Sequence, residues 1–351
     1  MLRLMPVLHS RLGDWDLPNL HAWSERGLVM RAPERLIVMP DTRVATIGSC
    51  FAEELATMMG EVGIRGAMHP GGLFYSTATI RQELERLTGG WPERDAEPLW
   101  QLDRGFVDPF RAYDKVFSDE EALRADRAAA DAAAEDVFRG AQVVVVTLGL
   151  IETWRSPATG NTFRQIPHPG VFESLGTSLH RLTVGEMLDD LERIRTVVRD
   201  RLGAALVVTT SPVPLHATFT PLDVRIANTE SKSRIRAAVS EFVDRHPDVD
   251  YFHSYEMVVT AEKQSDFFKD DGRHVRRDAV RYIMSEFLRL FADPSLHLRD
   301  VDASWLTPIE KTAPIPTKEP RPQAAKVAKP PAPRTPGWRR ALRKARRAVA
   351  G

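Results

Sequence analysis

The chain has 351 residues, with 48 Lys and Arg against 48 Asp and Glu, and a single cysteine, Cys50. That length accommodates one large α/β domain with appendages or two small domains. One cysteine excludes an internal disulfide, and it excludes any zinc site that needs two or more cysteine ligands. No apolar run reaches the roughly 18 residues of a spanning helix, and the opening Met-Leu-Arg-Leu-Met-Pro lacks a signal-type apolar core, so the expected location is cytoplasmic.

Residues 1–42 read as irregular, rich in Pro and Trp. The first predicted strand is Val44-Ala45-Thr46-Ile47; it ends at Gly48, and a helix is predicted from about Phe51 to Val62. Ser49 and Cys50 therefore fall on a strand-to-helix turn. A loop at His69-Pro70-Gly71-Gly72 precedes a helix over about 77–87, and 89–117 reads as irregular. Ser118 with Glu121 has the spacing of a capping box opening a helix to about Phe138, and Thr183 with Glu186 has the spacing of a second, closed by Gly203. Val143–Val146 and Leu206–Thr209 are β-branched runs of the kind buried in parallel sheets. A helix over about 230–245, a short strand near Tyr251 and a last helix over about 278–291 complete the pattern. Buried strands alternating with crossover-length helices predict an α/β fold with a parallel, doubly wound sheet, which binds ligands at the carboxyl ends of its strands.

The charge is unevenly placed. From Thr312 to Gly351 there are 11 Lys and Arg and one acid, so this tail carries +10 and the preceding 311 residues −10. Eight of these 40 residues are proline, which predicts a disordered linker. Trp338, Leu342, Ala345 and Val349 fall at helical spacing among basic residues, a pattern suited to an anionic surface or a protein partner, or to a solubilising tail with neither. No specific nucleic-acid site is expected. The expected organisation is an extension (1–35), a domain (36–311) and the tail (312–351).

Two signals bear on chemistry. A cysteine at a strand-to-helix turn sits near the positive end of a helix, which favours its thiolate; the competing reading is a buried structural cysteine. Asp271-Gly272-Arg273-His274 places an Asp and a His close enough for the carboxylate to fix the imidazole tautomer of a general base. With ten histidines in the chain, that spacing also arises by chance.

Taken together, Gly48-Ser49-Cys50-Phe51-Ala52, Thr147-Leu148-Gly149-Leu150-Ile151-Glu152-Thr153-Trp154, Thr210-Ser211-Pro212-Val213-Pro214-Leu215, Asn228 with Ser231-Lys232-Ser233, Tyr251-Phe252 with Tyr255-Glu256, and Asp271 with His274 resemble the GSCFA family, which is grouped with the SGNH/GDSL hydrolases. The resemblance spans about residues 36–292 and implies a three-layer α/β/α, SGNH-hydrolase-like fold. It implies Cys50 as nucleophile with Ser49 as rival, His274 as base and Asp271 orienting it. Gly48, Phe51, Gly71, Gly72, Gly149 and Glu152 are candidates for the oxyanion or substrate site. The asparagine that such hydrolases carry on the third loop is replaced here by Gly149-Leu150-Ile151-Glu152; a backbone donor near Gly149 or the Thr147 hydroxyl is the expected substitute. The implied activity is that of an acyl-ester hydrolase or O-acyltransferase on a carbohydrate-like or small polar substrate, through a covalent acyl-enzyme and without metal or organic cofactor. The alternative is a non-catalytic glycan- or metabolite-binding module tethered by the basic tail. Glu152 and Trp154 are read equally as pocket lining or packing, Lys232 as an anion ligand or a solvated helix face, Asn228 as lining or cap, and His69, His168 and His253 as structural.

Overall fold

The computed structural model describes residues 28–298 apart from 32, 34–35, 92–93, 112–114, 165 and 262–263, together with 301 and 310–312. The expected disorder and amphipathic helix of the tail, and most of the N-terminal extension, lie outside the described residues. The chain divides into two units, Met1–Pro314 and Ile315–Gly351; everything below belongs to the first.

In chain order the elements are β1 (Val29–Arg31), β2 (Arg43–Gly48), α1 (Cys50–Glu61), β3 (Arg65–Met68), α2 (Thr77–Leu87), β4 (Trp100–Leu102), β5 (Gly105–Val107), α3 (Glu120–Arg139), β6 (Val143–Leu148) and β7 (Glu152–Trp154). They continue with α4 (Pro169–Leu175), β8 (Leu179–Arg181), α5 (Val184–Arg195), β9 (Ala205–Thr210), α6 (Val224–Arg245), β10 (Val249–Phe252), α7 (Ser254–Val259), α8 (Arg277–Phe291) and β11 (Glu310–Thr312).

Five strands form one parallel sheet in the order β10-β9-β6-β2-β3. Alternate residues along each strand point to opposite faces. Val44, Val143, Val145, Val207 and Phe252 pack with α1 and α8 on one face, with Leu55, Met59, Phe287 and Phe291 among their partners. Ala45, Ile47, Val144, Val146, Leu206 and Val208 pack on the other face with Ile80, Leu84, Phe138, Leu191 and Val239 of α2, α3, α5 and α6. The expected three-layer α/β/α architecture is thus present, and each fully buried apolar side chain contributes roughly 1.5–3 kcal/mol to it. The chain leaves β2 for β3 on one side and returns past β2 to β6 on the other. The strand order reverses between β2 and β6, and the crevice at their carboxyl ends is where such sheets bind ligands.

Local signals set most boundaries. The Thr183–Glu186 capping box forms in both directions, and α5 runs on through a π-helical turn, Thr196–Arg201, to Gly203 at φ 69°. The Ser118–Glu121 box does not form. Asp119 caps α3 instead, accepting the Ala122 N–H at 2.8 Å, while Ser118 donates its hydroxyl to Asp119. The longer carboxylate displaces the hydroxyl from the capping position. α6 begins six positions earlier than expected because Asp223 caps it through the Arg225 N–H at 2.9 Å. Residues 89–117 are not wholly irregular: β4 and β5 form a hairpin over a small aromatic core of Trp91, Trp100, Phe110, Trp154 and Phe163. β1, in the expected extension, pairs in parallel with β11, which straddles the expected 311/312 division. Among the described residues, no helix is long and apolar enough to cross a membrane.

Candidate active site

The site starts at Gly48. Its φ of 141° lies where side chains strain the backbone, and a Cβ there would stand 2.1 Å from the Thr147 carbonyl oxygen, so only glycine allows β2 to lie this close to β6 while turning into α1. Ser49 follows and is 2% exposed. Its N–H donates to the Thr147 hydroxyl at 2.8 Å and to the Thr147 carbonyl at 3.1 Å. Its own hydroxyl shares a hydrogen bond with Thr147 Oγ1 at 3.0 Å and accepts the Phe51 N–H at 3.3 Å as the N-cap of α1. Ser49 is therefore committed to the turn. Cys50, the first residue of α1, is half-buried rather than closed off.

Burial pushes the Cys50 thiol up from its ordinary value. The charges of Arg273 and Lys232 and the residue's own N–H pull the other way, and Glu54 adds to the rise. Desolvation thus opposes the expected help of the helix end and is the largest influence on the thiol. Lys232, at 1% exposure, is neither solvated nor on an exposed face. Its Nζ donates to the Gly149 carbonyl at 2.8 Å, and burial drives its pKa down to about 7 against the pull of Cys50.

The oxyanion candidates are mostly spent. The N–H groups of Gly71 and Gly72 donate to His69, to Nδ1 at 2.9 Å and to its carbonyl at 3.0 Å. Gly149 N–H donates to the Tyr75 carbonyl at 2.8 Å, Phe51 N–H goes to Ser49, and the Thr147 hydroxyl is engaged by Ser49. None is open to a ligand in this conformation, because a buried backbone donor takes the nearest acceptor. The Cys50 N–H, at the first position of α1, has no helical partner and remains as a donor. Glu152 takes the Phe219 N–H at 2.9 Å and the Thr218 hydroxyl, so it clamps the 215–222 loop rather than lining a pocket. Trp154 packs edge-on against Phe219. Asn228 accepts the Leu215 N–H at 3.1 Å. His69 bonds buried Glu83 at 2.8 Å, His168 accepts the Gly170 N–H as cap of α4, and burial lowers the His253 pKa.

Asp271 and His274 form the expected pair. Asp271 Oδ2 bonds His274 Nδ1, and Oδ1 accepts the N–H groups of Arg273 and His274, each at 3.0 Å. These bonds, the imidazole's first, hold the Asp271 carboxyl well below its usual range. They fix the tautomer with its proton on Nδ1 and its lone pair on Nε2, the form a general base requires. That lone pair is occupied: Nε2 accepts from Arg273 Nη1 at 2.9 Å, and the imidazole side chain is 59% exposed. Neither ring nitrogen is bonded to Cys50. The segment acts on the bend through the Arg273 charge, which is felt by Cys50 and by Tyr75. The first turns of α8 are tied to the far end of α1, Arg281 to Glu61. Arg273, Arg164 and Tyr75 carry no sequence periodicity that singles them out; Arg273 stands inside the Asp-to-His spacing, which points only to its two outer residues.

The GSCFA family pattern matches residues 43–287. The chain belongs to the GSCFA family. The matched segment runs from the first residue of β2 into α8 and takes in every residue of the site. No curated protein matches the chain with significance. Among solved structures, the GSCFA domain is similar to a Streptococcus pneumonia protein provisionally described as a platelet activating factor, at 13% identity and TM-score 0.35, over 71% of this chain and 83% of that one. It is also similar to a Clostridium thermocellum family 3 carbohydrate esterase, at 12% identity and TM-score 0.26, over 72% of this chain and 94% of that one. At these values neither structure speaks to the chemistry of the GSCFA domain.

Proposed function

We propose that this GSCFA domain is a cysteine-dependent acyl-ester hydrolase or O-acyltransferase acting on a carbohydrate-like or small polar substrate. The observation that carries the reading is the division of labour at the bend: the Ser49 hydroxyl is locked into capping and into Thr147, whereas Cys50 stands half-buried at the switch-point crevice. In the reaction, the Cys50 proton passes to His274 Nε2 and the sulfur attacks the acyl carbonyl carbon. The tetrahedral adduct collapses, the carbon–oxygen bond to the alcohol breaks, and His274 returns the proton to the departing oxygen. Water or an acceptor hydroxyl then gives its proton to His274 and attacks the thioester carbon, the carbon–sulfur bond breaks to release the acid or the new ester, and His274 returns the proton to the sulfur. The Cys50 N–H and the Lys232 charge are the groups suited to the developing oxyanion. A reducing compartment such as the cytoplasm would keep Cys50 active, and the basic 312–351 tail would bring the domain to an anionic surface or a protein partner.

A binding module without turnover is the second reading, favoured by the raised thiol and the occupied His274 lone pair. Hydrolysis of a series of acetyl esters by Cys50→Ala and Ser49→Ala separates the two. Loss in Cys50→Ala with retention in Ser49→Ala is expected. Equal, residual hydrolysis by the wild type and Cys50→Ala would leave only the binding reading.

A further inference from the structure

The charges of Arg273 and Lys232 act on Cys50, and those of Arg273 and Arg164 on Tyr75, and none of these three side chains holds a carboxylate directly. Lys232 donates only to the Gly149 carbonyl, and Arg273 and Arg164 make no ion pair among the described residues. Elsewhere, buried arginines hold carboxylates, Arg86 with Glu83 at 2.6 Å, Arg94 with Asp131 at 2.6 Å and Arg127 with Asp108 at 2.7 Å, even though Arg94 and Arg127 each leave one buried nitrogen without an acceptor. Arg164 is 7% exposed and lies with its guanidinium 4.4 Å from the Phe74 ring centroid. Its Nε donates to the Leu73 carbonyl at 2.8 Å, but its buried Nη1 has no acceptor. The Arg273 Nε is likewise buried without an acceptor, while Nη1 rests on His274. Tyr75 is pinned beside the bend, its ring against Gly149 and its carbonyl taking the Gly149 and Leu150 N–H groups, and its phenol feels the charges of Arg273 and Arg164.

An unanswered guanidinium N–H out of water is costly, and a fork of such donors matches a carboxylate or phosphate. We propose that the substrate handled at Cys50 carries an anionic oxygen group, carboxylate or phosphate, seated on Arg273 and Arg164 beside Tyr75. Its arrival draws the Arg273 guanidinium from the His274 lone pair onto the anion. The base then opens only when a substrate of the right charge is present. This rests on Cys50 being the nucleophile, and it accounts for a resting site whose base is capped by Arg273.

Because Cys50 is the only cysteine in the chain, alkylation of the full-length protein reports on this site alone. The measurement is the ratio of alkylation rates by anionic iodoacetate and neutral iodoacetamide, referred to the urea-unfolded chain. The native ratio is expected to exceed the unfolded one by about tenfold, from two nearby cations in a partly desolvated site. It should fall most of the way back in Arg273→Gln, fall partly in Arg164→Gln, and be largely retained in Arg273→Lys. The basic tail is unchanged in all of these. Succinate and inorganic phosphate are then compared as protectants against iodoacetamide; protection by one of them supports the subsite and names its anion. A native ratio equal to the unfolded one, a raised ratio that persists in both glutamine variants, or no protection by either anion would overturn the proposal. Acylation by a neutral aryl ester is followed in parallel. Anion preference without acylation would overturn the acyl-transfer reading and leave the subsite standing.

Discussion

Around Cys50 the polar groups are bonded across the domain: Ser49 to Thr147, Phe74 N–H to the Gly48 carbonyl, and Gly149 to Tyr75. Around His274 they are bonded within the loop, with Asp271 holding Arg273 and His274 and Lys269 N–H donating to the His274 carbonyl. The first segment is part of the sheet and cannot shift without breaking β2 from β6. The second is an exposed, self-contained turn whose side chains rearrange at little cost to the core. Cys50 is thus fixed by the fold, while the Asp271–His274 pair is preassembled within its own loop, with Arg273 bonded to its outer nitrogen.

That contrast is open to test, and the largest effect concerns activity. His274→Ala and Asp271→Asn should each lower ester turnover by about 10²–10⁴-fold, the usual worth of a positioned general base. Both should leave the melting temperature nearly unchanged, because the pair is exposed; thermal unfolding run beside the kinetics checks this. A large drop in melting temperature would show that the loop is structural after all.

The two glycines of the site should differ next. Gly48→Ala places a Cβ against a backbone carbonyl at an already strained φ, and a loss of roughly 3 kcal/mol or more is expected in denaturant unfolding. Gly272, at φ 66°, has nothing within 4 Å of an added Cβ, so Gly272→Ala should cost only about 1–2 kcal/mol of left-handed strain.

Lys232 gives the pH signature of the sheet side. Its folded pKa, about 7, lies below the ordinary lysine value of 10.5, so between those values the unfolded chain binds more protons and stability rises with pH. Unfolding by urea at pH 7 and pH 9.5 should show that rise in the wild type, and Lys232→Met should flatten it. The smallest effect is at the α3 cap: Asp119→Ala should lower the melting temperature slightly and Ser118→Ala less, by thermal unfolding.

The strands are legible because burial on both faces forces continuous β-branched runs such as Val143–Val146, and the turn at Gly48 because its neighbours switch period from strand to helix. β3 is not, since Arg65-Gly66-Ala67-Met68 is an edge strand with no β-branched residue. The Asp271–His274 pairing is readable from its spacing, being local. What Arg273 and Arg164 do is not, because each acts across the fold: Arg164 reaches the loop at Gly71 and Gly72 from more than ninety positions away. Lys232 reads as solvent-facing or ligand-binding because α6 has little amphipathic contrast at that point, and only the packing of its helix against Gly149 buries it.

Acid quenching of the wild-type chain during turnover of an activated acetyl ester, followed by peptide mass spectrometry, decides whether Cys50 carries the acyl group. An acetyl group on the sulfur of Cys50 is expected. An acetyl group on Ser49, or steady ester turnover with no modified residue in the 43–61 segment, would contradict that expectation.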